Sequence, residues 1–242
     1  MLKNIAFMTI AIAGLAINAA SAATLSFDGS PIIIDTGANI PTLPVKFGDL
    51  KDRNGFLSAA QLASPLVGPL SSNSLVLHKF NSGNDTNAGL RLNGPSSVKF
   101  TYIGYEAGNF NTAVDFGPSG GAMFNNHGQN ASIFGDMVTV AFAGNFLLPF
   151  MFETNGAVAG SAGTATNHGE IMGSMSLTFS QIFNNGRSVI AFFGDGAGDS
   201  DYDDLVMRID VVPVPAALPL FGTGLAALGF MGWRRKRQKT AA

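Results

Sequence analysis

The residues best suited to chemistry in this 242-residue chain are the acids of one short stretch. It reads Phe193-Gly194-Asp195-Gly196-Ala197-Gly198-Asp199-Ser200-Asp201-Tyr202-Asp203-Asp204-Leu205-Val206. Five of the sixteen Asp and Glu lie within ten residues there. Its glycines let the backbone turn tightly and aim carbonyls inward. Asp199, Asp201 and Asp203 stand at alternate positions, the ligand spacing of calcium loops, and hard Ca²⁺ takes roughly 6–8 oxygens. The candidate metal ligands are therefore Asp195, Asp199, Asp201, Asp203 and Asp204, with Ca²⁺ as the cofactor. The pattern departs from an EF-hand, because Asp204 stands where that loop's Gly belongs and a strand pattern comes next instead of a helix. A site here would be a β-loop site. The competing reading is a solvated turn whose carboxylates cap backbone N–H groups, with one Asp paired to Arg208. Against it, five carboxylates with one nearby cation repel each other unless something neutralises them.

Other reactive patterns are weaker. Gly117-Pro118-Ser119-Gly120-Gly121 matches G-x-S-x-G, but a nucleophile elbow needs a strand before it and a helix after it. The next residues, Ala122-Met123-Phe124-Asn125-Asn126-His127-Gly128, have no helical period and read as a turn region. Gly194, Gly196 and Gly198 resemble a phosphate cradle, yet the adjacent acids would repel phosphate. His78, His127 and His168 are scattered, without the H-x-x-x-H spacing of a metal helix. His78 falls in a strand pattern as a packed or surface side chain; His127 and His168 fall in Asn-His-Gly turns and are expected to be exposed. With no cysteine there is no thiolate metal site and no disulfide. No Ser/His/Asp or paired-carboxylate set has a catalytic context, so the chain is expected not to be an enzyme.

The elements that would position the acidic loop lie between two unlike ends. Residues 1–23 carry Lys3, an apolar run over 5–17 and the small residues Ala20-Ser21-Ala22-Ala23. That order is a secretory signal peptide, cut after Ala22 or Ala23 by signal peptidase. Residues 216–233 are uncharged and mostly apolar; at ~1.5 Å per residue a helix of this length spans about 27 Å, enough for a hydrocarbon core. Trp233 sits at its end, where an indole prefers the interface, and Arg234, Arg235, Lys236 and Arg237 come directly after it. The positive-inside rule holds this basic cluster in the cytoplasm, so the residues between the two apolar segments are expected outside.

Val212-Pro213-Val214-Pro215-Ala216-Ala217-Leu218-Pro219-Leu220-Phe221, ahead of the apolar stretch and the Arg/Lys cluster, resembles the PEP-CTERM sorting signal of Gram-negative bacteria. The resemblance implies exosortase as processing enzyme, a sorting motif at Val212, Pro213, Val214 and Pro215, and residence in the envelope or extracellular matrix. Val214 stands where the family's typical motif has Glu. The acidic stretch is also similar to the closing motif of an uncharacterised bacterial surface domain, through Gly198, Asp199, Asp201, Tyr202, Asp203, Asp204, Leu205 and Val206. That resemblance implies a β-sandwich and suggests calcium.

All sixteen acids fall between Asp28 and Asp210, against eight Lys and Arg, so a core over 24–211 carries about −8 although the chain totals −2. This disfavours nucleic acid and suits divalent cations or neutral polysaccharide. Period-2 runs at 75–80, 98–105, 137–142, 175–179 and 205–211, with a nearly all-apolar run at 188–193, predict strands. The runs 137–142 and 147–152 are expected to pair around Gly144-Asn145, and 156–169, rich in Gly, Ala, Ser and Thr, reads as a loop. Ser58 would cap a short helix over 58–62. Asn-Gly and Gly-Gly turns between short strands predict an all-β, antiparallel sandwich or jelly roll. It would be flanked by the signal helix and one transmembrane helix within a sorting segment, 212–239. The expected role is structural or adhesive, with exopolysaccharide as a candidate partner. The alternative, a calcium-dependent carbohydrate-binding module, needs exposed aromatics, for which the core offers Tyr102, Tyr105 and Tyr202.

Overall fold

Short β-branched and aromatic runs separated by glycine turns can bury themselves only by pairing edge to edge and stacking face to face. The computed structural model describes residues 23–35, 49–68, 76–81, 87–117, 120–154, 163–172, 174–196, 202–212 and Leu228. In chain order the elements begin with β1 (Thr24–Asp28), β2 (Ile32–Asp35), β3 (Lys51–Asp52), β4 (Gly55–Phe56) and the helix α1 (Ala59–Leu62). Next come β5 (Val76–Asn81), β6 (Gly89–Asn93), β7 (Ser96–Gly104), β8 (Asn111–Asp115), β9 (Gly121–Asn125) and β10 (Met137–Phe142). The last six are β11 (Phe146–Leu147), β12 (Phe150–Thr154), β13 (Gly163–Thr166), β14 (Ser176–Ser180), β15 (Ser188–Gly194) and β16 (Leu205–Val212). The fold is all-β, and every pairing between these strands is antiparallel.

The largest sheet has seven strands in the order β10-β7-β16-β15-β14-β5-β2. β15 lies at its centre and is buried along its whole length. Its near-continuous apolar sequence reflects that position, since a strand covered on both faces has no solvent side to alternate towards. Val189, Ala191 and Phe193 join the main core with Phe100, Tyr102, Met207 and Ile209 of the same sheet. Opposite them lie Leu90 and Leu92 of the sheet β1-β6-β11, and Phe124, Phe150 and Phe152 of the sheet β13-β12-β8-β9. Phe152 stacks on Phe193 with ring centroids 5.2 Å apart, and Phe100 meets Phe150 edge-on at 6.1 Å. Each fully buried Phe contributes about 1.5–3 kcal/mol, so this layer holds much of the fold's driving force. The alternate residues Ile190 and Phe192 face the other way. There they meet Leu50, Leu57 and Val67, which lie around the β3–β4 hairpin and α1. α1 starts where Ser58 allows it: the Ser58 hydroxyl accepts from Gln61 N–H, and Gln61 Oε1 accepts from Ser58 N–H.

The predicted strands reappear as β5, β7, β10, β14, β15 and β16. Two expectations fail. The runs 137–142 and 147–152 do not pair: β10 pairs with β7, β11 with β6, and β12 with β8 and β13. The Gly144-Asn145 turn carries the chain from one layer to the other instead of back along its own sheet. Both residues have positive φ, and Asn145 is anchored to the opposite layer through Leu92 C=O and Gly94 N–H. The stretch 156–169 is not all loop either, since β13 lies within it and pairs with β12. Its hydrogen bonds are made by backbone, so small polar side chains do not prevent the pairing.

Among the described residues no helix is long and apolar enough to cross a membrane. The predicted signal helix and membrane span lie outside them, apart from Ala23 and Leu228, as do Pro213, Val214, Pro215, Arg234, Arg235, Lys236 and Arg237. Val212 closes β16, and its carbonyl accepts from the Ser96 hydroxyl at 2.8 Å.

Candidate metal centre

β15 and β16 pair as far as Phe193 opposite Leu205, so the acidic stretch is the connection between two central strands. The backbone register alone brings its two ends together. Asp204 N–H donates to Phe193 C=O at 3.0 Å, and Asp204 Oδ2 accepts from Asp195 N–H at 2.6 Å. Capping of backbone by carboxylate is therefore present in this loop. Arg208, the cation expected beside the loop, pairs with Asp210 at 2.8 Å and also donates to the Pro65 and Leu66 carbonyls on the second core's side. Asp195, Asp203 and Asp204 are all buried. Asp199 and Asp201 lie outside the described residues. Among the described residues no three His, Asp or Glu side chains come together as metal ligands.

Asparagines complete the site. Gly108 and Asn109 form a bend after β7, Phe110 follows it, and β8 begins at Asn111. Asn109 and Asn111 point inward and Phe110 outward. Asn109 Nδ2 donates to Asp195 Oδ2 at 2.9 Å, and Asn111 Nδ2 donates to the same oxygen at 3.2 Å. Asn111 Nδ2 also reaches Asp204 C=O at 3.3 Å. Behind them Asn126, just past β9, fixes the segment from both sides. Its Oδ1 accepts from Asn111 N–H at 2.8 Å and its Nδ2 donates to Asn109 C=O at 2.9 Å. Asn109 is 4% exposed and Asn111 0%. The Oδ1 atoms of both are buried without a hydrogen-bond partner. A buried acceptor left unmatched costs about 1–3 kcal/mol, so two of them beside one carboxylate call for an electropositive neighbour. The oxygens available here, carboxylate and amide, are those hard Ca²⁺ accepts. Sequence reasoning passed over all three asparagines. The Asn-x-Asn alternation around Phe110 was the available signal, but asparagine near glycine reads first as a turn former.

The remaining candidates sit elsewhere. Tyr102 is fully buried against Phe124, and Tyr202 is 8% exposed with its hydroxyl accepting from Lys79 Nζ at 3.0 Å. Tyr105 is half-buried beside the Lys51 ammonium. None of the three offers the open ring face expected of them. Period-2 burial turns Tyr102 inward with Val98 and Phe100. His127 and His168 are half-buried rather than exposed, because their rings lie against Phe110 and Phe116 at 4.9 and 5.2 Å. Among the described residues the exposed aromatics are Phe56, Phe110 and Phe116. After Gly117 the chain enters β9 at Gly121, a strand in place of the helix a nucleophile elbow requires. Comparison with known protein families, with curated proteins and with solved structures finds no match.

Proposed function

We propose that this chain is an exported, non-enzymatic domain of a Gram-negative cell surface or extracellular matrix. Signal peptidase removes its N-terminal segment, exosortase sorts it at Val212-Pro213-Val214-Pro215, and its role is structural or adhesive in an exopolysaccharide setting. The finer reading of the fold is a jelly-roll-like β-sandwich between a signal helix and a C-terminal transmembrane helix. Ca²⁺ at the acidic loop, through Asp195, Asp199, Asp201, Asp203 and Asp204, stabilises a core that has no disulfide. The observation that carries the reading is the order of segments: a signal peptide, an acidic β core, a Pro-containing motif, an apolar span and a basic stop. The strand after Gly117 supports the non-enzymatic part.

The test is localisation. The full chain is expressed in a Gram-negative host with and without its exosortase, and the core is tracked by fractionation and protease accessibility. With exosortase the core leaves the inner membrane for the outer surface or medium. Without it, the core stays membrane-bound and faces the periplasm. A chain that remains cytoplasmic in both hosts sinks the reading. One observation favours the alternative, a calcium-dependent carbohydrate-binding module: Phe110 is 46% exposed and stacks on His127 directly outside Asn109 and Asn111. Aromatic faces of this kind are what a sugar ring packs on, and glycan-array binding by the purified chain separates the two readings.

A further inference from the structure

We propose that the amide oxygens of Asn109 and Asn111, together with the Asp195 carboxylate, form the inner half of a binding site for a hard divalent cation. The site lies between the segment entering β8 and the end of β15. This deepens the calcium reading above and rests on it, but it uses residues outside the acidic repeat.

Three observations meet at one place. Asp195 is 3% exposed, and two side-chain amides converge on a single oxygen of its carboxylate. Both of those amides keep a buried Oδ1 without any hydrogen-bond partner. Asn126 holds the backbone of both residues, so the segment cannot turn outward to hydrate those oxygens. Only a donor or a cation satisfies such oxygens. The ligand atoms are all oxygen, with no nitrogen or sulfur among them, which selects Ca²⁺ or Mg²⁺ over Zn²⁺ or copper. A buried water is the rival occupant, and it predicts no dependence on cations.

The experiment is thermal unfolding of the full-length chain in detergent, in EDTA, in millimolar CaCl₂ and in millimolar MgCl₂. Five forms are compared: the parent chain, Asn109→Ala, Asn111→Ala, Asn111→Asp and Asp201→Ala. Ca²⁺ is expected to raise the parent's Tm by about 5–10 °C at a hundredfold excess over Kd. Either Asn→Ala change is expected to weaken the Ca²⁺ midpoint on the order of tenfold or more. Asn111→Asp keeps an oxygen ligand but sets a second carboxylate against Asp195. It lowers Tm in EDTA and gains a larger Ca²⁺ shift than the parent, an outcome that a purely structural asparagine does not produce. A Ca²⁺ shift lost in the Asn variants supports the proposal, whether Asp201→Ala keeps the shift or not. A shift lost in Asp201→Ala but intact in both Asn→Ala variants overturns it and leaves the acidic-loop reading standing. A parent Tm that ignores Ca²⁺ and Mg²⁺ overturns both.

Discussion

His78 lies in a strand, as its neighbours in sequence suggest, and its ring is packed there. It sits on β5 between Ile33 of β2 and Phe179 of β14 in the register. Its ring lies 4.5 Å from that of Phe27, and its Nδ1 is buried with no hydrogen-bond partner. Burial pushes its pKa below the usual value, because an imidazolium there loses its hydration. The unfolded chain therefore binds this proton more readily than the folded one. Stability is full above the unfolded value near 6.5 and is lost as pH falls below it towards the folded value. Tm is expected to drop as pH falls below about 6.5, and His78→Gln is expected to flatten that part of the curve. An identical pH profile in the variant would remove His78 from the explanation. The acids of the loop were legible in the sequence because charge clusters are rare in so apolar a chain. The asparagines that serve them were not, because an amide's role depends on what it faces.

At the scale of elements, Asn167 stands in for a missing strand. Fully buried, it accepts from Leu90 N–H at 2.7 Å and donates to the carbonyls of Leu90 and Leu148 at 2.8 and 2.9 Å. Its own N–H donates to Phe150 C=O. One side chain thus joins β6 to the chain entering β12, closing the seam between the three- and four-stranded sheets. Gly89 has no side chain because a Cβ there would lie 2.4 Å from Asn167 C=O. Asn167→Ala removes three hydrogen bonds and leaves the buried Leu90 N–H without its Asn167 acceptor, while the Leu90 and Leu148 carbonyls keep Leu148 N–H and Phe150 N–H; a loss of roughly 1–3 kcal/mol is expected in urea unfolding. A loss below about 0.5 kcal/mol, the level of ordinary surface changes, would refute the stitching role. The sequence Asn-His-Gly reads as an exposed turn, and the turn is present. That its first residue is swallowed between sheets depends on Leu90 and Leu148, which lie 77 and 19 residues away.

For the whole molecule, the decisive step is how the chain crosses between layers. Gly144, at φ +82°, approaches Gly94 so closely that a Cβ would stand 2.1 Å from its backbone. Gly144→Ala is expected to lower the urea midpoint by an amount equivalent to about 2 kcal/mol or more, through both the clash and the positive φ. An unchanged midpoint would show that the crossing tolerates a side chain. Local pattern was enough to establish the all-β class, the central buried strand β15, the cap of α1 and the acidic connection before β16. Each of these rests on periodicity or composition within about ten residues. Strand partners, the inward turn of Tyr102, the seam held by Asn167 and the meeting of Asn109 and Asn111 with Asp195 were decided by tertiary structure alone. Their contacts span 86 residues of chain from Asn109 to Asp195 and 116 from Ser96 to Val212, where β7 meets β16, and period 2 states that a strand has two faces without saying what covers either one.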